Sequence, residues 1–128
     1  MKLSSSIATV LLLLLTSCNQ SRLKTPEISF EQKIVRFGKL KYNKNLFFDI
    51  KYLNTGNAKL IIKKIYPTCD CSQIIKFDRE ISPGSSGKAI MKIALVNNNI
   101  GFISKKIVFE TNTSKSLNII RIEGTIIN

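Results

Sequence analysis

From Ile28 onward, short apolar runs alternate with turn chemistry, and within the runs apolar and polar side chains swap sides at every residue. That period belongs to a half-buried strand, not to a helix. In "NLFFDIKYLN" Phe48, Ile50 and Tyr52 fall on one face and Asp49 and Lys51 on the other. In "KAIMKIALV" Ala89, Met91, Ile93 and Leu95 oppose Lys88 and Lys92. Phe48, Ile50, Tyr52, Met91, Ile93 and Leu95 are therefore expected to face a core. "EISFEQKIVRFGKL" reads as one or two short strands with Gly38 at a turn or bulge, and "AKLIIKKIYP" as a strand stopped by Pro67, which has no N–H to donate. "SQIIKFDREI" reads as one short strand, and "FISKKIVFET" and "LNIIRIEGTII" as two longer ones.

The punctuation agrees with the pattern. "NTGN" (Asn54 to Asn57) is expected to close a hairpin, because Gly and Asn tolerate positive φ. In "SPGSSG" Pro83 and Gly84 suit the two central positions of a type II turn. "NNNIG" and "NTSKS" supply the remaining reversals. About seven short strands at spacings of roughly 8 to 15 residues predict an all-β fold, an immunoglobulin-like β-sandwich filling residues 27–128 as one domain. Small barrels satisfy the same pattern. The Cys-Trp-Cys core of antibody domains is absent.

The first residues follow another logic. In "MKLSSSIATVLLLLLTSCNQ" Lys2 precedes an apolar stretch, Ile7 to Leu15, that is far short of the roughly 20 residues needed to span a membrane. It ends in Leu15-Thr16-Ser17-Cys18. This quartet resembles the lipobox of bacterial lipoproteins. The resemblance implies that residues 1–17 are a cleaved signal peptide and that Cys18 is the lipid attachment site. Residues 18–26, polar and ending at Pro26, then form a lipidated tether. The expected location is the cell envelope, on the outer membrane facing the periplasm. A soluble exported protein cut near Ser17 is the alternative.

That location changes how the charge is read. The chain has 20 Lys and Arg against 8 Asp and Glu. In the cytoplasm such an excess would suggest nucleic acid, but no nucleic-acid partner is expected of an exported protein. Lys33, Lys39, Lys51, Lys63, Lys92 and Lys105 are dispersed along the strands, the pattern of a solvated sheet face. Arg22 and Lys24, beside the anchor, are the residues best placed to meet anionic lipid headgroups.

Candidate chemistry narrows to Cys69 and Cys71 in "TCDCS". The chain has no histidine, so Ser-His and Cys-His nucleophile systems are excluded. Export places the two thiols in an oxidising compartment, and residues two apart can meet the Cα separation that a bridge requires. Loop entropy extrapolated to so short a ring gives about 1.6 kcal/mol, a weak staple. Three readings stay open: a structural bend, thiol redox chemistry, or a soft-metal site. For the last, zinc would need ligands from a second chain, whereas a two-sulfur Cu(I) site would not. Asp70 opposes thiolate formation, and Lys63, Lys64 and Lys76 are the lysines expected to offset it. No resident metal or cofactor is expected. Asn112-Thr113-Ser114 matches a glycosylation acceptor and reads as a plain strand-connecting turn.

Taken in order, "VRFGKL", "FFDIKYLNTGNAKLIIKKIYPTCDCS", "ISPGSSGKAIMKIAL", "GFISKKIVFETN" and "IIRIEG" resemble the bacterial family called domain of unknown function 1573. The resemblance covers roughly Ile34 to Ile127. It implies an immunoglobulin-like sandwich of the class that contains the sperm-protein and pilus-chaperone folds, whose members commonly bind other proteins. It implies no activity. The family usually has Cys-Gly-Cys where this chain has Cys69-Asp70-Cys71. The expectation is therefore a non-enzymatic module that is anchored to a membrane by lipid and binds an envelope protein. The alternative is a thiol-disulfide or metal-handling protein centred on Cys69 and Cys71.

The anchor can be checked directly. Labelled fatty acid is expected to enter the wild-type protein and to be lost in Cys18→Ser. Equal labelling of the two would remove the assignment.

Overall fold

The computed structural model describes residues 22–95 and 100–128. Cys18, the signal segment and most of "NNNIG" lie outside them. The described chain is all strand and turn, with nine strands in two sheets. β1 (Ile28–Phe30), β3 (Asn45–Asn54), β7 (Ser86–Ala94) and β5 (Ser72–Phe77) form a four-stranded sheet in the order β1-β3-β7-β5. β2 (Ile34–Lys41), β9 (Leu117–Ile127), β8 (Gly101–Thr111), β4 (Leu60–Pro67) and β6 (Glu80–Ile81) form the other, in the order β2-β9-β8-β4-β6. Every pairing is antiparallel except β2 with β9.

The predicted core positions behave as their alternation requires. Ile50, Tyr52, Ala89, Met91, Ile93 and Leu95 are buried between the sheets, and Phe48 is half-buried against the same cluster. Ile62, Ile107, Phe109, Ile120, Ile122 and Ile126 face them from the second sheet. Phe109 lies edge-on to Phe30 and to Tyr52, with ring centres 4.9 and 5.7 Å away. Such aromatic contacts add about 0.5 to 1.5 kcal/mol each beyond burial. Among the lysines expected on a solvated face, Lys33, Lys39, Lys51 and Lys63 are exposed, whereas Lys92 and Lys105 are half-buried.

Two local expectations are corrected. "SQIIKFDREI" is not one strand. β5 ends at Phe77, the Asp78 carboxylate accepts the Lys88 amide at 2.9 Å, and Arg79 donates to the carbonyls of Ile62 and Lys63. The chain thus leaves one sheet and pairs with β4 of the other as β6. The second correction concerns "NTGN". It is not a hairpin, because β3 pairs with β1 and β7 while β4 pairs with β8 and β6. It is a crossover between sheets.

Asn54 makes that crossover feasible. Its side chain is fully buried at 0 % exposure. Its Nδ2 donates to the carbonyls of Ala58 (2.7 Å) and Ile81 (2.9 Å), and its Oδ1 accepts the amides of Gly56 (3.0 Å) and Glu27 (3.5 Å). Its backbone bonds Ser85 and Gly84. Gly56 serves the close approach of the incoming chain and not positive φ: a Cβ there would overlap the Thr25 carbonyl oxygen and lie 2.5 Å from the Glu27 nitrogen. The segment read as a tether is accordingly tied down at its end, where the Asn57 amide donates to the Thr25 carbonyl and the Thr25 amide donates to the Asn57 Oδ1. The Pro83-Gly84 turn is as expected: Gly84 has φ 76°, and the Ser85 amide bonds the Ser82 carbonyl at 3.0 Å. Gly38 lies where the β2 register shifts against β9, a bulge.

Removing the Asn54 side chain orphans buried carbonyls and amides, each costing about 1 to 3 kcal/mol. Asn54→Ala is expected to lose about 2 to 4 kcal/mol in urea unfolding, and exposed Lys63→Ala less than about 0.5 kcal/mol. An Asn54→Ala midpoint close to wild type would show that water replaces these bonds.

Candidate functional site

Cys69 and Cys71 lie in the turn that carries the chain from β4 in one sheet to β5 in the other. The approach is fixed by β4 pairing with β8, continued where the Thr68 amide and hydroxyl both donate to the Lys106 carbonyl. The exit is fixed by the Ala94 amide donating to the Cys71 carbonyl at 2.8 Å, which aligns β5 beside β7. Between them the Ser72 amide bonds the Cys69 carbonyl at 3.1 Å. Pro67 is the last residue of β4, as the sequence suggested. The two sulfurs are joined in a disulfide, with Cα atoms 5.3 Å apart. In that form neither sulfur is a thiolate ligand.

The two ends of the bridge have different surroundings. Cys69 Sγ accepts the Cys71 amide at 3.2 Å and faces the Lys105 ammonium at 3.6 Å. The hydrogen-bond partner of Cys71 Sγ is the Ser72 hydroxyl, at 3.7 Å, and Cys71 lines a hollow of about 230 Å³ with Asp70, Gln73, Lys92 and Ala94. Both cysteines are half-buried. The lysines expected here from the sequence are not those found. Lys64 lies over the Tyr66 ring, and among the described residues no hydrogen bond joins Lys63, Lys64 or Lys76 to either sulfur. Lys105 arrives from β8, 36 residues along the chain, and nothing in the local sequence announces it.

Elsewhere the surface offers other recesses. A broad one, about 600 Å³, lies over Phe30, Tyr52, Leu53 and Gly87, flanked by Lys51, Asp78 and Lys88. The Tyr52 hydroxyl donates to the Asp78 carbonyl at 2.6 Å. Burial, and then the nearby Asp78 charge, raise the ionisation of this phenol well above the usual tyrosine range, so it stays protonated as a structural donor. Two smaller recesses flank the start of β2, one bounded by Lys33 and Arg36 and one by Val35 and Ile50. Asn112 is committed to the fold: its side chain bonds the Ile61 amide and the Lys59 carbonyl.

A ring this small restricts the unfolded chain little. The double variant Cys69→Ser, Cys71→Ser is therefore expected to remain folded and to lose no more than about 2 kcal/mol in urea unfolding. Loss of the cooperative transition would make the bridge a strut.

The fold has relatives of low sequence identity. A protein of unknown function from Porphyromonas gingivalis W83 superposes with a TM-score of 0.68 at 16% identity, covering 80% of this chain and 47% of that one. The secreted serine protease VesC from Vibrio cholerae gives 0.62 at 11% identity, covering 77% of this chain and 23% of that one. The ASH/PapD-like domain 7 of human CEP192 gives 0.60 at 9% identity, covering 81% and 87%. This chain thus spans about half of the Porphyromonas protein and under a quarter of the protease. At such identities the likeness shows the fold alone, an immunoglobulin-like sandwich. No curated protein matches the sequence. The match that covers the sandwich from β1 into β9 is to a family, over residues 28–126, and the chain belongs to it: the family described as Protein of unknown function (DUF1573).

Proposed function

We propose that this protein is a lipid-anchored module of the bacterial envelope, held through Cys18 on the outer membrane and facing the periplasm. There it binds another envelope protein without catalysing a reaction. The observation that carries the reading is the edge strand β2. Seven of its eight residues pair with β9 on one side, Phe37 being skipped at the bulge, and among the described residues nothing pairs with the other. An unpaired edge of that length is a template for a partner's strand, with backbone bonds giving affinity and adjacent recesses giving specificity. The two recesses beside Lys33, Val35 and Arg36 adjoin the start of this strand and offer room for side chains of a partner.

Charge indicates the kind of strand. Arg36, Lys39 and Lys41 are exposed along β2, and Arg36 already pairs with Glu123 at 3.2 Å. Lys39 and Lys41 make no ion pair among the described residues. The partner segment is therefore acidic at the matching positions. The absence of histidine supports a non-enzymatic role against hydrolytic triads. The PapD-like domain of human CEP192 supports the fold analogy only. The disulfide favours a second reading, taken up below.

A photocrosslinking residue placed at position 39 in living cells is expected to yield one discrete adduct. The same residue at position 115, in the β8–β9 turn, is expected to yield none. Lys39→Glu with Lys41→Glu should abolish an adduct formed from position 36. Adducts that ignore position, or survive the charge reversal, would refute binding at this edge.

A further inference from the structure

The bridge between Cys69 and Cys71 contributes little as a staple, yet its two sulfurs are placed unequally, and that inequality is what exchange chemistry uses. Thiol–disulfide exchange is a displacement along the sulfur atoms: one sulfur takes the nucleophile, and the other leaves with the bond's electron pair. The sulfur that leaves gains negative charge, so hydrogen-bond donors and cations aimed at it in advance lower the barrier. Here those donors converge on Cys69 Sγ: the Cys71 amide at 3.2 Å and the Lys105 ammonium at 3.6 Å. Cys71 Sγ has only the more distant Ser72 hydroxyl, at 3.7 Å, and no cation. Its residue borders the hollow of about 230 Å³ that Lys92 and Asp70 flank, which Cys69 does not. The cysteine beside the hollow and the cysteine supported by the cation are different residues.

We propose that Cys69–Cys71 is a thiol–disulfide exchange site of fixed polarity, in which an incoming thiolate attacks Cys71 and Cys69 departs as the thiolate held by Lys105. The co-reactant is a dithiol protein or peptide of the same compartment. Its first thiolate forms a bond to Cys71 Sγ, and the disulfide breaks with both electrons going to Cys69 Sγ. Its second thiolate then attacks its own sulfur in the mixed disulfide and releases Cys71. The partner leaves as a disulfide, oxidised by two electrons, and the two protons that its thiols lose end on Cys69 and Cys71. Run in reverse, the same steps pass the disulfide from a partner to this chain.

The surroundings favour the forward attack at Cys71 in two ways. Lys92 lines the hollow and attracts an incoming thiolate, partly offset by Asp70. Lys105 is half-buried, so its charge at Cys69 is screened less than that of an exposed lysine. The proposal is independent of the β2 edge, and neither reading falls with the other.

The test uses the intact chain purified without reductant and reduced glutathione as the probe. Samples are quenched in acid, treated with N-ethylmaleimide and sequenced by mass spectrometry, where fragmentation at Asp70 separates the two cysteines. Glutathione is expected on Cys71 and maleimide on Cys69, in about tenfold excess over the reverse isomer. Opening is expected to be about tenfold faster than in a disulfide-closed peptide spanning Tyr66 to Phe77. Lys105→Gln should slow opening several-fold and even out the isomers, and Lys105→Arg should restore both. An equal or inverted partition in the wild type would overturn the polarity. Opening no faster than the peptide's, or unaffected by Lys105→Gln, would overturn the site.

Discussion

A chain that builds two facing sheets has to leave one and enter the other, and at each crossing its backbone loses ladder partners. Asn54 answers this at the β3–β4 crossing from a fully buried position. One amide side chain satisfies Gly56 and Glu27 as acceptor, and Ala58 and Ile81 as donor. It thereby binds the incoming N-terminal segment, the β3–β4 crossover and β6 to a single point. The core could be rebuilt from other aliphatic side chains of similar volume. These four directed bonds have no such substitutes, because no apolar residue can satisfy the same carbonyls and amides.

With the crossings secured, the sandwich consigns its apolar faces to the interior and leaves chemistry to edges and ends. Both places are occupied by something unusual. The long edge of β2 is unpaired and basic, and the end of the sandwich next to β4 carries the disulfide turn. The turn has no freedom to drift, since Thr68 is bonded to β8 and Cys71 to β7. The scaffold thus presents a disulfide in a half-buried loop, and loops are where folds of this kind can carry function without altering their core.

The basic charge acquires a local meaning in the folded chain. Lysines that look interchangeable in the sequence separate into three groups: solvated ones such as Lys63, an unpaired pair on the β2 edge, and Lys105 beside a sulfur. Composition bears on what such a chain attracts over long distances, acidic partners or anionic surfaces. Only position puts one lysine beside a disulfide sulfur and leaves another as a solubilising charge.

The period of two in "NLFFDIKYLN" and "KAIMKIALV" was enough to identify strands and to orient their side chains, because burial on one face of a sheet depends on alternate residues alone. Pro83-Gly84 was legible for the same reason: turn chemistry is local. The expectation of a lipobox at Cys18 also rests on a short stretch, which lies outside the described residues. Whether Asn54 to Asn57 closes a hairpin or crosses between sheets was not legible. The same residues serve both, and the choice lies in where β3 and β4 find partners. The break in "SQIIKFDREI" was hidden similarly, since Asp78 and Arg79 act through Lys88, Ile62 and Lys63. Cys69 and Cys71 were visible as a pair, but Lys105 was not, because its proximity comes from β4 lying beside β8. Local spacing determined the strands and their faces; long-range pairing decided the crossings, the free edge and the charge at the sulfur.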